Sequence, residues 1–325
     1  MSESAKTSYQ DDRVSADQMQ GGRDYQEDDY KVSCISAPAD ETSGELLMVL
    51  ADGMGGHAGG AEASDIAVRY FTDHFIGSDG AVNDRFMAAL DAANNGLEQE
   101  VEKNPDLEGM GCTLVGLHLT DQGARWISVG DSPLYLVSSG RIVQINDDHS
   151  MAPVLAQFVK EGRMTAEEAS KDPRRNALRS AVVGEELTLI DLPHDPLPIH
   201  KGDVLVLASD GLQTLPNAKI NDIVVKHGDK PVDQLVEKLL QAVTDAGRRR
   251  QDNTTVMVYR ADRLLGEEPR SDDLTIDPNS LEEEMDAIMN AGSAGGADEQ
   301  LPLALIAAGI VAIVGLGVVA YMALM

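Results

Sequence analysis

Aspartate residues stand at the ends of several short apolar runs, and this placement limits the folds that the chain can adopt. The junctions are Leu46–Ala51 before Asp52, Trp126–Gly130 before Asp131, Val204–Ser209 before Asp210, and Asp252 before Thr254–Tyr259. A carboxylate at the end of a buried strand loses hydration unless a partner compensates it, and a single one is usually only a turn former. Four together predict that several strand ends converge on one polar cleft.

The four aspartates form a set of candidate ligands in which every donor is oxygen. Clustered carboxylates repel one another and raise one another's pKa unless divalent cations lie among them. Carboxylates without His or Cys select Mg²⁺ or Mn²⁺ over Zn²⁺. Gly53, directly after Asp52, would let a metal or its water approach the backbone carbonyl. A dinuclear site of this kind is suited to phosphoryl hydrolysis.

A second charged motif runs from Arg23 to Asp28. The Arg23 guanidinium can hold a phosphate through two parallel hydrogen bonds. Glu27 and Asp28 are candidates for a metal ligand and its support. Alone, such a run would be an ordinary charged turn, but beside four aspartates at strand ends it favours a phosphate-binding site.

The composition argues against several other classes of protein. The chain has 55 acidic and 26 basic residues and a formal net charge of -29, which disfavours binding to nucleic acid or anionic lipid. Cys34 and Cys112 form no disulfide framework or zinc motif, and neither is marked as a low-pKa nucleophile. The N-terminus shows no apolar run behind a basic stretch, so we expect no secretory signal and a cytosolic catalytic domain.

The chain divides into four predicted segments. Residues 1–12 are predicted to be disordered, 13–262 to form the catalytic domain, 263–300 to be an acidic flexible linker, and 301–325 to be a transmembrane helix. The strands are predicted at Lys31–Ser36, Leu46–Ala51, Thr113–Thr120, Arg125–Val129, Leu134–Val137, Ile142–Ile145, Val204–Ala208 and Thr254–Tyr259. The helices are predicted at Ala61–Phe75, Val82–Lys103, Met151–Glu161 and Val232–Ala246. Neighbouring strands and long separate helices favour antiparallel sheets packed under helices.

The last two segments carry predictions of their own. Within the linker, a capping box at Ser280 predicts a short helix over 280–290, which either docks on a partner or forms only transiently. The run Leu301–Met325 has no charged residue, and as a helix it would extend about 37 Å, against about 30 Å of bilayer hydrocarbon. We therefore expect a single-pass C-terminal anchor that leaves the catalytic domain in the cytoplasm.

Several motifs, in order along the chain, resemble those of the bacterial metal-dependent type 2C protein serine/threonine phosphatases, the PPM family. The matching runs are GGRDYQED (Gly21–Asp28), LADGMGGHAGGAEAS (Leu50–Ser64), GMGCTLVGLHL (Gly109–Leu119), VGDSPLYL (Val129–Leu136), DDHSM (Asp147–Met151), DPRRNALRSAVVG (Asp172–Gly184), LASDGL (Leu207–Leu212) and QDNTTVMV (Gln251–Val258). One DG pair would carry no information, whereas eight ordered motifs over about 250 residues are hard to obtain by chance.

The resemblance implies an α+β fold, an αββα four-layer sandwich of two antiparallel sheets flanked by helices, with two Mn²⁺ or Mg²⁺ ions at one end. It also implies the metal ligands, which are Asp52, Asp210, Asp252 and the Gly53 carbonyl, with Glu27 or Asp28 assisting through water and Asp131 helping to hold a third, weaker ion. Arg23 would bind the substrate phosphate. The segment from His149 to about Gly184 would be the flap beside the site. Its Arg174-Arg175 pair either favours acidic substrates or neutralises its own surroundings.

One departure from the family concerns the general acid. Many animal relatives have a histidine directly after the DG pair, whereas this chain has Met54. The proton for the leaving group would then come from metal-bound water or from His57, although a structural role of His57 beside the glycine-rich loop is an equal alternative.

The sequence therefore predicts a protein phosphatase that hydrolyses phosphoserine and phosphothreonine with metal-activated water, without a covalent intermediate. We expect phosphoprotein substrates close to the membrane, and a membrane-bound serine/threonine kinase as the activity that this enzyme opposes. Two alternatives stay open. One is a membrane-tethered pseudophosphatase that binds phosphoproteins without turnover, and the other is a phosphatase of a small regulatory protein such as an anti-sigma-factor antagonist.

Overall fold

The computed structural model of the protein describes residues 12–35, 45–55, 58–262 and 265. The predicted linker was wrong at Leu265, which is 3% exposed and pairs with Ile199, so the folded domain continues past residue 262. The rest of the predicted linker, the predicted transmembrane helix, residues 1–11 and His57 lie outside the described residues. Within the described part, no helix is both long enough and apolar enough to cross a membrane. The anchor at 301–325 therefore stays a prediction.

Among the described residues, ten strands form two antiparallel sheets. The first sheet has the order β1-β10-β9-β7-β8, with β1 Val14–Met19, β7 Leu134–Ser138, β8 Arg141–Gln144, β9 Val204–Ala208 and β10 Thr254–Arg260. The second has the order β2-β3-β5-β6, with β2 Asp28–Ile35, β3 Glu45–Met54, β5 Leu114–Thr120 and β6 Gly123–Val129. The two-residue β4, Gly111–Cys112, pairs with the end of β3. All pairings between these strands are antiparallel.

Helices cover the outer face of each sheet. Helices α1 (Ala58–Gly77) and α2 (Val82–Lys103) pack with the second sheet, and α5 (Asn217–His227) and α6 (Val232–Asp245) pack with the first. Two shorter helices, α3 (Ala152–Lys160) and α4 (Ala166–Lys171), lie in the segment between β8 and β9. The layers are therefore helix, sheet, sheet and helix, and the predicted α+β class with two antiparallel sheets and helices is confirmed.

The alternation of side chains along the central strands explains this layering. In β3, Leu47 and Val49 face α1 and α2, whereas Met48 and Leu50 face the other sheet. In β9, Leu205 and Leu207 lie in the core between the sheets, and the alternate residues pack against α5 and α6. Because successive side chains of a strand point to opposite faces, a strand covered on both faces is apolar at every position. The segments Leu47–Leu50 of β3 and Val204–Ala208 of β9 are buried at every position.

Candidate active site

The predicted carboxylates come together because the ends of their strands meet at one edge of the sandwich. Strand β10 runs antiparallel to β9, so Asp252 just before β10 lies beside Asp210 just after β9. Strands β3 and β6 are both antiparallel to β5, so they run in the same direction, and their ends place Asp52 and Asp131 at the same edge. These four aspartates line one pocket of about 650 Å³.

Arg23, Glu27, Gly53 and Met54 line the same pocket. The opposite wall is the stretch 176–181, which includes Arg179. All of the predicted metal and phosphate ligands that the structure describes therefore lie at this pocket or directly behind it. His57 is outside the described residues, so its predicted role as an acid stays a prediction.

Asp28 lies behind the pocket wall and is only 4% exposed. It is directly opposite Asp52 in the β2–β3 pairing. Its Oδ2 accepts hydrogen bonds from Ser209 Oγ at 2.7 Å and Thr255 Oγ1 at 2.8 Å, whereas its Oδ1 is buried and has no hydrogen-bond partner among the described residues. A buried, unsatisfied carboxylate oxygen is costly unless a proton or a cation compensates it.

Burial and mutual repulsion raise the pKa values of the clustered carboxyl groups. Desolvation, with additional repulsion from Asp210, raises the pKa of Asp28 to about 6 and that of Asp131 to about 7. Desolvation also raises the pKa of Asp210 to about 6, with Asp252 adding to the shift and Arg23 opposing it. The pKa of Asp52 is raised well above its usual value by burial first and then by its acidic neighbours. Such a group of carboxylates favours the binding of positive charge.

Arg23 lies at the mouth of the pocket with its side chain half exposed. Its Nη2 contacts Asp252 Oδ2 at 2.6 Å, and its Nη1 lies 3.8 Å from Glu27 Oε2. The hydrogen bond to Asp252 is the main cause of a raised pKa for the Arg23 guanidinium. The group is therefore fixed as a cation at the entrance, and part of its surface faces solvent.

The loop that carries Arg23 is held by the segment just before β10. The amide of Gly22 donates to the Gln251 carbonyl at 2.7 Å. The Asn253 side chain accepts from the amide of Glu27 at 2.9 Å and donates to the carbonyl of Tyr25 at 2.9 Å. Asn253 is buried, so these bonds are shielded from water and fix the loop relative to Asp252.

The residues present fit a divalent cation. The unsatisfied oxygen of Asp28 and the all-carboxylate lining are the environment that a hard cation compensates. In the described ranges, no three Asp, Glu, His or Cys side chains by themselves form a group that could hold a metal ion. The buried Asp28 oxygen is still compatible with an ion, because Mg²⁺ usually keeps several waters and needs only one or two carboxylates. An ion here would thus complete its coordination with water and backbone oxygen, such as that of Gly53.

The sequence patterns did not single out the polar side chains that hold these ligands in place. Ser209 and Thr255 fix Asp28, and Thr113 Oγ1 accepts from the amide of Asp52 at 3.0 Å and contacts Ser132 Oγ at 2.8 Å. Each of these hydroxyl residues either lies within three positions of a predicted ligand in the sequence or faces one across a pair of strands. That proximity, and their position inside the family motifs, are the signals in the sequence that could have indicated them.

One of the two flap arginines, Arg174, is paired with an acidic residue of its own segment. Arg174 makes two hydrogen bonds with Asp172, from Nε at 3.0 Å and from Nη2 at 2.8 Å. This pairing favours the alternative in which Arg174 neutralises its own surroundings.

Comparison with known proteins assigns the chain to a family. The family model described as Protein phosphatase 2C matches residues 27–255, which is more than half of the chain. The chain belongs to the protein phosphatase 2C family, and the family predicted from its motifs is confirmed.

Similar proteins are serine/threonine protein phosphatases by name. PstP of Mycobacterium tuberculosis is 36% identical over 173 residues, which cover 52% of this chain and 32% of PstP. The chain thus matches about a third of that protein's length. PhpP of Streptococcus pneumoniae, a protein phosphatase, is 31% identical over 219 residues, which cover 66% of this chain and 85% of PhpP.

A solved structure of the PstP catalytic domain is in complex with two manganese ions. It superposes with a TM-score of 0.58 at 29% identity, over 76% of this chain and 97% of that domain. The fold that surrounds the pocket is therefore one in which a relative binds manganese.

Proposed function

We propose that this protein hydrolyses phosphoserine and phosphothreonine in other proteins, in the pocket between Arg23 and the clustered aspartates. The observation that carries the proposal is the unsatisfied, buried Oδ1 of Asp28 behind a wall of carboxylates. A cation would compensate this oxygen beside the pocket that Arg23 also lines. A dinuclear Mn²⁺ or Mg²⁺ site would supply that charge.

The residues that would hold two ions are Asp52, Asp210, Asp252 and the Gly53 carbonyl, with Glu27 and Asp28 supporting them and Asp131 placed for a weaker third ion. When bound, the ions lower the pKa of water and neutralise the phosphoryl oxygens. Asp252 contacts both the proposed ion site and Arg23, so it orients the arginine relative to the reaction centre.

Arg23 would bind the phosphate of the substrate. Its Nη2 is fixed by Asp252, and the half-exposed guanidinium has further donors that can meet two phosphate oxygens. The same charge stabilises the negative charge that develops on the oxygens during hydrolysis. Met54 cannot transfer a proton, so the leaving oxygen would be protonated by solvent or by His57.

The cellular setting belongs to the proposal as well. The uncharged run Leu301–Met325 supports a C-terminal membrane anchor, and the acidic residues before it support a flexible tether. A phosphatase held in this way would act on phosphoproteins at the cytoplasmic face of the membrane, including targets of a membrane serine/threonine kinase.

Removal of divalent cations tests the proposal. Phosphate release from a phosphothreonine peptide should stop after treatment with a chelator and return with Mn²⁺, whereas Zn²⁺ should restore it poorly because the ligands are all oxygen. Full activity after the chelator, with no metal detectable by elemental analysis, would refute the metal-dependent mechanism.

A further inference from the structure

Three consecutive arginines, Arg248 to Arg250, lie beside the loop that carries Arg23. The chain has only 26 basic residues against 55 acidic ones, so a run of three cations is unusual in it. All three side chains are exposed. We call Arg248–Arg250 the arginine rim.

The backbone of the arginine rim packs against Gly22, and the two residues that follow the rim pack against Gly21. A Cβ on Gly22 would lie 3.0 Å from the Arg249 carbonyl oxygen and 3.4 Å from the Arg250 Cα. Gly21 has a φ of +66°, and a Cβ there would approach the Asp252 carbonyl oxygen to 2.5 Å. Gly21 is therefore required here, and the close contact at Gly22 places the rim next to the phosphate-binding loop.

The side chains of Arg249 and Arg250 are available for a partner. Arg248 Nη2 makes one long hydrogen bond, 3.4 Å, to the Thr214 carbonyl. For Arg249 and Arg250, no side-chain hydrogen bond or ion pair occurs in the part of the chain that the structure describes. In this respect they differ from Arg174, which is neutralised by Asp172.

Arg249 and Arg250 are not explained by a role in stabilising the helix that precedes them. Helix α6 ends at Asp245, and Gly247 takes the left-handed conformation, with φ +64°, that commonly follows a helix end. The field of the helix dipole acts mainly on the last turn. Arg249 and Arg250 lie beyond that turn, so stabilisation of the helix dipole does not account for their charges.

We propose that the arginine rim binds acidic residues that flank the phosphorylated residue of a substrate protein. The inference rests on the proposed function and adds a preference for acidic phosphopeptides. A pocket lined by carboxylates repels an acidic segment, and cations on the segment that packs against the loop of Arg23 offset that repulsion. Arg249 and Arg250 carry most of this interaction because no partner in the described structure occupies them.

Peptide selectivity tests the arginine rim. The full-length protein would be assayed on a phosphothreonine peptide with aspartates on both sides and on a matched peptide with glutamines. We expect kcat/KM to favour the acidic peptide by about tenfold at low salt, mainly through KM, and to lose this preference as salt is raised. The R249Q/R250Q variant should reduce the preference to about twofold or less.

Two matched variants distinguish the effect of positive charge at the arginine rim from the effect of positive charge elsewhere on the protein. R249K/R250K keeps the charges and should retain most of the preference. K201Q/K226Q removes two exposed cations, which lie at the opposite end of the first sheet, and should behave as the wild type. An unchanged preference in R249Q/R250Q, or an equal loss in K201Q/K226Q, would overturn the proposal.

A binding measurement distinguishes failure of the proposed phosphatase activity from failure of the proposed role of the arginine rim. Fluorescence anisotropy with labelled acidic and glutamine peptides requires no turnover. Selective binding that depends on the arginine rim, without hydrolysis of either peptide, would support the rim and refute the proposed activity. Hydrolysis of both peptides at equal kcat/KM would refute the rim alone. Binding by the arginines to phosphatidylserine vesicles, with no selectivity between the peptides, would also overturn it.

Discussion

At the scale of single residues, the two oxygens of Asp28 have opposite environments. Oδ2 is held by the hydroxyls of Ser209 and Thr255, which come from the other sheet, and Oδ1 is left buried and without a hydrogen bond among the described residues. The hydroxyl pair therefore fixes the orientation of the carboxylate before any cation binds. Pre-oriented ligands of this kind increase metal affinity.

Replacement of Thr255 by valine tests this arrangement. The change keeps the shape and removes one donor to Asp28, so we expect Mn²⁺ affinity, measured by titration calorimetry, to fall roughly tenfold. Thr72 provides the control, since it is fully buried and its hydroxyl has no hydrogen bond in the described structure. Thr72→Val should leave affinity unchanged, and equal affinities in the two variants would show that the hydroxyl does not position Asp28.

The aspartates could be predicted from the sequence, but their supporting groups could not. Asp52, Asp131 and Asp210 each follow an apolar run, and this contrast is visible in the residue order. Ser209 and Thr255 reach Asp28 across more than 180 positions of the chain, and a hydroxyl residue beside a strand end has many other uses. Long-range pairings of this kind depend on how the two sheets stack.

At the scale of elements, segments with a clear apolar pattern were predicted well, and segments with a weak one were missed. The predicted β9 and α2 have the bounds that the structure shows. Strand β1, VSADQM, was not predicted because it lies at the edge of its sheet and mixes polar with apolar residues. Helix α5 was missed although Ile220, Ile223 and Val224 share one buried face, since three such residues in eleven give a weak pattern.

Close packing between β9 and β10 at the site gives a prediction for Gly211. A Cβ there would overlap the Asn253 carbonyl oxygen, so Gly211→Ala must displace the backbone beside Asp252. We expect the free energy of unfolding to fall by about 3 kcal/mol in a urea titration.

Gly77 is the matched control because it ends α1 and a Cβ there meets nothing within 4 Å. Gly77→Ala should change the free energy of unfolding by less than about 1 kcal/mol. A Gly211→Ala protein as stable as Gly77→Ala would mean that the two strands are not packed as closely as described.

At the scale of the whole molecule, the fold accounts for the position of the site, whereas the predicted anchor rests on the sequence alone. Antiparallel pairing within each sheet, and the stacking of the two sheets, bring five aspartates and Glu27 to one edge. The placement of the aspartates predicted that strand ends converge on one cleft, and the family motifs predicted which residues act as ligands there. The run after residue 300 is independent of that argument and rests on length and lack of charge.

Truncation tests the anchor directly. A chain that stops after Gln300 should move from the membrane pellet to the soluble fraction on ultracentrifugation and keep its phosphatase activity. The full-length chain, expressed in the same way, is the control. Recovery of the truncated chain in the membrane pellet would show that residues 301–325 are not the anchor.

Substitution of Asp210 tests the central claim most directly, because this carboxylate lines the pocket and is proposed to hold an ion. We expect Asp210→Asn to reduce Mn²⁺-dependent phosphate release from a phosphothreonine peptide by at least about 100-fold. Asp195→Asn, at an aspartate whose side chain is 86% exposed, should match the wild type. Equal rates for the two variants at saturating Mn²⁺ would contradict the proposed metal-dependent hydrolysis.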